Sequence, residues 1–594
     1  MFHIVLISSL FALSLAAPLN VALPNVALPN INGLPDFSDI LDNVTDAVKS
    51  RMSDLASKGI GRHVEELIGI QKKLKIINKI AGEQVKHAKK GNTNTASVSD
   101  GDKDRLGKKN KDEVLDSLLF QGDMLLTEEQ LDRIIENTAQ ELGWSSDVLT
   151  KLGVNSKKSR GKRQAIQSPP NDKHWALPIS YYYDDNIPDV TRQVIRDTFA
   201  FYANHTCLTF QESSAAVPRI QFRNVTSGCF SYVGFLGSDW YGAPSSQTKC
   251  TVCSGAGLHP VNLGEWFCST QIGSISHEIF HAFGVFHHHS RSDRDNYLSL
   301  SAANQADNQF TKLTTSDSYN YGTMYDYGSV MHYGIGGMTA KESLYQSTMG
   351  AGLGPQFGDI VLINNQYQCF CQSATVTCAN GGYPNPNACN TCLCPGGYGG
   401  TTCSDRDPGT EGGGDTLQAT ASDSCQTLKT SIGNDDGISN LYYQKSWFHI
   451  QAPAGKQVQL IFNQAGVSPG KSYSRGGGCN NQGVEVKLIS GQLNRTGTLF
   501  CGDDPVLVST PSNFIPFTSD SNLAILQIYT RLNKFNLDVK YRYVDSTTSS
   551  TLPGSCQPCK DIYSNCNELA NYCTDPANPE IGPNCPVTCG TCPT

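Results

Sequence analysis

Hydrophobic and polar positions change pattern several times along this chain, and each change marks a different kind of segment. Phe2 to Ala16 is a short apolar run closing on Ser14-Leu15-Ala16. It predicts a signal peptide over 1–16, too short for a bilayer span. A pentapeptide repeat follows, Val21-Ala22-Leu23-Pro24-Asn25 and then Val26-Ala27-Leu28-Pro29-Asn30, which reads as a flexible lead. Apolar residues recur at helical spacing in Val64 to Ile80 and again in Glu128 to Ile135. Between them, Lys86 to Lys111 is polar and charged and predicts disorder. Tyr181 to Tyr183 and Arg219 to Phe222 read as strands, and Val190 to Tyr202 has the spacing of a long helix. Over 414–544, strand-like runs alternate with turns.

Composition sets the compartment. The 594 residues suffice for several domains, and a net charge of -8 argues against a nucleic-acid partner. With 39% hydrophobic residues and 55 glycines, the chain suits modular extracellular architecture better than one large core. No stretch after the leader is apolar and long enough to span a membrane. The 22 cysteines lie after Thr206 in tight clusters, and behind a signal peptide they read as disulfides of a secreted protein. Asn43, Asn204, Asn224 and Asn494 sit in N-x-Thr sequons and are candidate glycosylation sites. Residues 17–163 hold no cysteine and close on Arg160-Gly161-Lys162-Arg163. We read them as a propeptide, cut after Arg163 by a furin-like protease to leave Gln164 as the new N-terminus.

The densest chemistry is His277-Glu278-Ile279-Phe280-His281-Ala282-Phe283-Gly284-Val285-Phe286-His287. On a helix, His277 and His281 share one face a turn apart and can hold one metal ion. Glu278 projects beside them, placed to take a proton from a water at the metal. Gly284 lets the backbone leave the helix in a conformation other residues resist, and the turn brings His287 round as a third ligand. Three protein nitrogens leave a zinc ion one open position, the arrangement of a catalytic site rather than a structural one. A solvated helix rich in histidine is the alternative, and the fixed positions of the eleven-residue form weigh against it.

Downstream, Ser329-Val330-Met331-His332-Tyr333 sets a tyrosine two residues after a methionine. With the histidine motif and the HHHSRSDRDNY stretch from His287 to Tyr297, this resembles the astacin family of metzincin zinc endopeptidases. The resemblance implies an α+β catalytic domain over 164–369. Its two lobes flank a zinc cleft, with a twisted sheet and long helices above and an irregular lobe below. It implies one Zn2+ per chain, Met331 as the floor beneath it, and Glu278 and Tyr333 as catalytic residues. Tyr333 would be a switchable fifth ligand that swings away to bind the oxyanion. Phe120-Gln121-Gly122-Asp123 resembles the family's FxGD motif, in which the aspartate reaches the zinc and keeps the zymogen latent. The family's disulfides would be Cys207–Cys369 and Cys229–Cys268. Cys250 and Cys253 form a lone C-x-x-C without the second pair of a zinc ribbon, so a local disulfide is expected.

The rest resembles small extracellular modules. Residues 370–404 are similar to an EGF-like module, implying pairs Cys371–Cys389, Cys378–Cys392 and Cys394–Cys403. After a linker over 405–413, residues 414–544 resemble a CUB β-sandwich, with the pair Cys479–Cys501. A second linker, 545–555, leads to 556–594. There the C-P-V-T-C-G-T-C ending resembles a ShKT module, implying Cys559–Cys592, Cys566–Cys585 and Cys573–Cys589. Counting then leaves Cys425 and Cys556. The even total predicts that they pair, two free or intermolecular thiols being the alternative. The set looks like a nematode-type multidomain astacin acting on extracellular proteins, with cuticle, eggshell or matrix proteins the family-level expectation. The rival readings are a catalytically inactive extracellular binding or adhesion protein using its CUB and ShKT modules, and a ShKT-based toxin. The intact motif residues weigh against the first, and the lack of a dominant basic face in 559–592 against the second. Met331 to Cys369 holds no arginine and one lysine, Lys341, which leans away from a preference for acidic substrates. His288 stands where the family carries a glutamate that pairs with the mature N-terminus, so that ion pair is not expected here.

Overall fold

The computed structural model of the protein describes residues 44–58, 60, 63–89, 112–154, 174–236, 257–264, 266–305, 307–410, 412–467, 479–501, 516–545, 552–556, 565–586 and 588–590. The predicted signal peptide, Asn43, the Arg163–Gln164 bond, Cys250, Cys253, Cys559 and Cys592 lie outside them.

Most of the described residues before 155 are helical. α1 (Asp46–Ser57) begins where the Thr45 hydroxyl accepts the Val48 N–H. α2 (Val64–Lys89) buries Leu67, Ile70, Leu74 and Ile77 at helical spacing. It continues past Ile80 through Lys86–Lys89, where disorder was expected. Glutamate, glutamine, lysine and alanine propagate a helix well. After α3 (Glu113–Asp116) comes a short strand, β1 (Met124–Leu125). Thr127 and Gln130 form a reciprocal capping box that starts α4 (Glu128–Glu141), and α5 (Ser146–Lys151) follows.

The next domain is built on a six-stranded sheet. Its members are β1, β2 (Ile179–Tyr183), β3 (Phe210–Glu212), β4 (Arg219–Arg223), β5 (Cys229–Tyr232) and β6 (Leu258–Leu263). The order is β1-β5-β6-β4-β2-β3, with only the β5–β6 pair antiparallel. The helix predicted over Val190 to Tyr202 is α6 (Asp189–His205), inserted between β2 and β3. It turns Val194, Ile195, Phe199 and Tyr202 into the core, where Phe199 meets Tyr181 at 4.3 Å between ring centres. α7 (Trp266–Thr270) leads into α8 (Ile272–Ala282). The lower part is irregular: β7 (Leu298–Leu300), α9 (Ala302–Gln305), β8 (Met338–Ala340) and finally α10 (Phe357–Gln366). It has its own core of Tyr325, Tyr327, Met338, Tyr345 and Met349. Disulfides join Cys207 to Cys369 and Cys229 to Cys268.

Residues 371–403 form a small unit held by the disulfides 371–389, 378–392 and 394–403. It contains β9 (Tyr383–Asn385), β10 (Ala388–Leu393) and β11 (Tyr398–Gly399). The expected linker at 405–413 is not loose. β12 (Asp405–Arg406) pairs with β11, and Arg406 donates to the carbonyls of Asp407, Gly413 and Trp447 at 3.1–3.2 Å. A two-sheet sandwich follows. Its strands are β13 (Thr416–Gln418), β14 (Gln426–Ile432), β15 (Gln444–Gln451), β16 (Gln457–Val467), β17 (Gln482–Lys487), β18 (Thr498–Phe500), β19 (Phe517–Thr518), β20 (Leu523–Thr530) and β21 (Phe535–Val544). The sheets run β13-β15-β20-β17-β18 and β14-β21-β16-β19. On β21, Phe535, Leu537, Val539 and Tyr541 alternate inward with the period of two that a half-buried strand requires. The tail holds α11 (Cys566–Leu569) and α12 (Ile581–Asn584) with disulfides 566–585 and 573–589.

Among the described residues, the other pairs are Cys479–Cys501 and Cys425–Cys556, the latter joining the start of β14 to the tail with Cα atoms 5.0 Å apart. Peptide mapping without reduction is expected to recover a fragment linking Cys425 to Cys556. Recovery of both as alkylated free thiols would exclude the bond.

Candidate active site

Two kinds of turn bring the motif histidines together. On α8, Ile275 and Ile279 face the core while His277 and His281 share the opposite, cleft-facing side. The helix packs closely at its start, where a Cβ on Gly273 would lie 1.9 Å from the Gly352 carbonyl oxygen. It ends at Gly284, whose φ of 101° suits glycine. The Val285 N–H returns to the Phe280 carbonyl at 2.9 Å and the Gly284 N–H to that of His281 at 2.8 Å, the paired bonds of a Schellman end. The chain then reverses and carries His287 back to the helix face.

The Nε2 atoms of His277 and His287 come within 3.1 Å of each other. Asp123 from the N-terminal segment enters the same point, 3.0 Å from His287 Nε2, 3.3 Å from His277 Nε2 and 3.6 Å from His281 Nε2. All these ligand atoms lie within 4.8 Å of one another. The far nitrogens fix the tautomers. His277 Nδ1 faces the Val330 carbonyl at 2.8 Å, His281 Nδ1 the Val285 carbonyl at 2.7 Å, and His287 Nδ1 the Gln121 side-chain oxygen at 3.0 Å. With Nδ1–H donating outward, each Nε2 presents a lone pair inward. His281 Nε2 and one Asp123 oxygen are buried without a hydrogen-bond partner. Nitrogens bound tetrahedrally at about 2.05 Å stand about 3.3 Å apart, so this donor set fits a zinc ion.

Asp123 is carried in on a tight turn. Phe120 and Met124 exchange backbone hydrogen bonds of 2.8 and 3.1 Å, and Gln121 and Gly122 between them are left-handed, at φ 52° and 84°. β1 then adds to the sheet edge beside β5, with Met124 opposite Ser231. Burial works to raise the Asp123 carboxyl, but the surrounding histidines outweigh it and hold it well below the usual carboxylate range. Burial pushes His287 down to about 3 and lowers His281. Glu278 is buried beside them, and burial followed by the charge of Asp123 raises its carboxyl well above its ordinary value. The Tyr333 ring lies 4.3 Å from that of His287, and its hydroxyl donates to the Gln121 carbonyl and, at 3.5 Å, to Asp123. Burial keeps that phenol neutral. Met331 is fully buried, and its carbonyl accepts the His288 N–H at 2.8 Å.

Gln121 escaped the sequence reading. Its side chain bridges His287 Nδ1 and the Thr311 carbonyl, the latter at 2.8 Å, across a gap in the chain that no local pattern reveals. His288 is turned from the histidine cluster toward residue 326, whose N–H it accepts at 3.0 Å. Among the sequon residues, Asn204 and Asn224 are exposed and Asn494 is half-buried.

Three convergent imidazoles and an adjacent buried glutamate define the class, a metal-dependent hydrolase. Comparison with known proteins narrows it. Residues 167–368 match the family model Astacin (Peptidase family M12A). Zinc metalloproteinase nas-31 of Caenorhabditis elegans is 32% identical over 515 residues, which span 82% of this chain and 74% of that protein. Zinc metalloproteinase nas-17 of the same organism is 32% identical over 455 residues, 74% of this chain and 89% of that one. The solved structure of high choriolytic enzyme 1, a hatching enzyme zinc-protease from the medaka Oryzias latipes, aligns over 34% of this chain and 99% of its own at 24% identity, with a TM-score of 0.28. The chain belongs to the astacin family and is a zinc metalloendopeptidase with one catalytic zinc ion.

Gln121→Ala in the uncleaved chain leaves a buried imidazole N–H and the Thr311 carbonyl without their partner. The expected loss is about 1–3 kcal/mol in unfolding free energy, read by denaturant unfolding. A loss under about 0.5 kcal/mol would show that the bridge carries no weight.

Proposed function

We propose that this chain is a secreted endopeptidase made as a latent zymogen, and that it hydrolyses extracellular proteins, with cuticle, eggshell or matrix proteins as the substrate class. The observation that carries this reading is the Asp123 carboxylate seated among His277, His281 and His287. These three histidines are the zinc ligands of the proposal, with Met331 as the floor below. Zinc, when bound, lowers the pKa of water and polarises the scissile carbonyl.

The chain's own residues do the rest. Glu278 takes the proton of the attacking water and hands it to the leaving amine, and its buried setting favours holding that proton in between. Tyr333 is a neutral phenol, so it can donate a hydrogen bond to the developing oxyanion. In the uncleaved chain its hydroxyl is occupied by Gln121 and Asp123. Asp123 fills the ligand position that water needs, and Gln121 and β1 hold it there. A furin-like protease cutting after Arg163 starts activation and leaves Gln164 as the N-terminus.

The downstream units belong to the same reading. The disulfides of 371–403 support an EGF-like module, the two-sheet sandwich supports a CUB-like one, and the pairs 566–585 and 573–589 support a ShKT module. Cys250–Cys253 and Cys559–Cys592 complete the disulfide set, and Asn43, Asn204, Asn224 and Asn494 carry glycans. Lys341 is turned to the Asp295 carbonyl, which supports a specificity without acidic preference.

Glu278→Gln should keep its zinc and lose peptidase activity by about 10²–10⁴-fold, because an amide cannot accept the proton. Wild-type turnover at full zinc occupancy would remove Glu278 from the mechanism. Asp123→Ala should give an uncleaved chain with measurable activity. If that chain stays as silent as the wild-type zymogen, burial by the propeptide blocks the site, and ligation does not.

A further inference from the structure

The sandwich packs against the catalytic domain at several points: Tyr442 donates to Asp197, Ala351 and Leu353 cluster with Tyr443, Leu499 and Tyr529, and the loop 488–497 between β17 and β18 makes the polar contacts nearest the histidines. Thr496 donates its N–H and its hydroxyl to one oxygen of Asp326, at 3.0 and 3.1 Å. The other Asp326 oxygen accepts the Gly328 N–H at 2.8 Å, so this buried carboxylate is satisfied by donors from both domains. Arg495 is buried and grips Glu342 with both terminal nitrogens, at 3.2 and 2.7 Å. Its guanidinium lies 4.3 Å over the Tyr345 ring. Ser347 donates to the Leu499 carbonyl at 2.6 Å, and the Leu499 N–H returns to Thr348 at 3.0 Å. The fit leaves no slack, since a Cβ on Gly328 would sit 2.5 Å from the Thr496 side chain. A buried carboxylate satisfied from both sides and a bidentate Arg495–Glu342 pair, whose glutamate is partly exposed, are what a fixed interface has and a tethered module lacks.

The loop reaches the turn that holds the histidines at two places, Thr496 on Asp326 and the Arg495 guanidinium 5.9 Å over the Tyr327 ring. Asp326 opens the segment 326–331. Its N–H binds His288 Nε2 at 3.0 Å, and His288 adjoins His287. The same segment ends at Val330, whose carbonyl orients His277, and Met331, whose carbonyl binds the His288 N–H. From Thr496 the path runs by hydrogen bond to Asp326, then by hydrogen bond to His288 and along the chain to His287, and along the chain to Val330 and by hydrogen bond to His277.

We infer that the sandwich loop 488–497 is a brace for the active site, with Arg495 and Thr496 as positioning residues that hold the 326–331 turn, and through it His277 and His287, in the geometry that binds zinc. The inference rests on the reading of those histidines as ligands. It makes the sandwich part of the peptidase rather than a detachable recognition module.

The test uses the full-length chain after propeptide removal, with a quenched fluorescent peptide that the wild type cleaves. Arg495→Ala and Thr496→Val are compared with wild type for kcat, KM and the rate of zinc loss to a chelator. Thr496→Val also abolishes the Asn494 sequon, so Asn494→Gln serves as its control and Thr496→Ser as the conservative variant. The brace predicts that Arg495→Ala lowers kcat about tenfold and speeds zinc loss at least tenfold, with KM within about twofold. It predicts a change in the same direction, about threefold, for Thr496→Val, with Thr496→Ser and Asn494→Gln near wild type. Wild-type kcat and zinc loss in both Arg495→Ala and Thr496→Val would overturn it. If Arg495→Ala does not fold, Thr496→Val against Thr496→Ser decides alone. Wild-type chain without zinc or activity would instead sink the assignment of the histidines, a different failure.

Discussion

The catalytic domain answers to one constraint: three imidazole nitrogens must keep their lone pairs aimed at a common point. Lone pairs 3.1 Å apart repel, and an unconstrained ring would rotate away or take up a proton. The chain prevents this by binding the far side of each ring. Val285 supplies one acceptor because the helix ends in a Schellman turn. Val330 supplies another because its own N–H is fixed on Asp359 at 3.0 Å, beside a Ser329 hydroxyl on the same carboxyl at 2.6 Å. Burial pushes the Asp359 carboxyl up to about 6, a sign of how far from water that anchor sits. The helix end and the methionine turn, far apart in sequence, are two halves of one device for pointing histidines.

The third acceptor comes from elsewhere. Gln121 belongs to the segment that precedes the catalytic domain, so in the uncleaved chain His287 is oriented by a part that the proposed activation would remove. The other outside support comes from the sandwich, through Asp326. The small disulfide unit touches both the catalytic domain and the sandwich. Asn387 donates to the Ala203 and Thr206 carbonyls at 2.6 Å on one side, and on the other Gly397 lies under Trp447, where a Cβ would meet Ile525 at 2.8 Å. Glycines at 396–397 thus allow close approach between units as well as a turn.

Legibility in the sequence followed the range of the interaction. The histidine motif could be read because helix geometry turns a spacing of four into a shared face, and Gly284 marks the helix end by its own backbone freedom. The Cys425–Cys556 bond, though 131 residues apart, could be read from parity, a property of the whole chain. Gln121, Asp326 and Thr496 could not. Each is a common polar residue whose partner lies more than a hundred residues away, and only the folded chain makes their hydrogen bonds specific. At shorter range, the hydrogen bonds of Arg406 to the carbonyls of Asp407, Gly413 and Trp447 within and beside the expected linker at 405–413 were not legible either.

The same packing bears on how latency would end. On the proposed reading, Asp123 alone would be a weak ligand, a single carboxylate. It gains strength from being held in place, with Gln121 and Gly122 in a left-handed turn and β1 completing the sheet beside it, which raises its effective concentration at the site. Leu67, Ile70, Leu118, Phe120 and Leu125 share one continuous core with Ile220, Phe222 and Ile279 of the catalytic domain. Arg163 lies downstream of every one of these contacts. On the proposed reading, cutting there severs the chain without breaking any of them, and a buried apolar interface of this kind dissociates slowly. Cleavage after Arg163 would therefore permit activation without completing it. The remaining step is loss of the cut segment, by dissociation or by further proteolysis of its exposed parts, and its rate is set by the same apolar packing that makes Asp123 an effective plug.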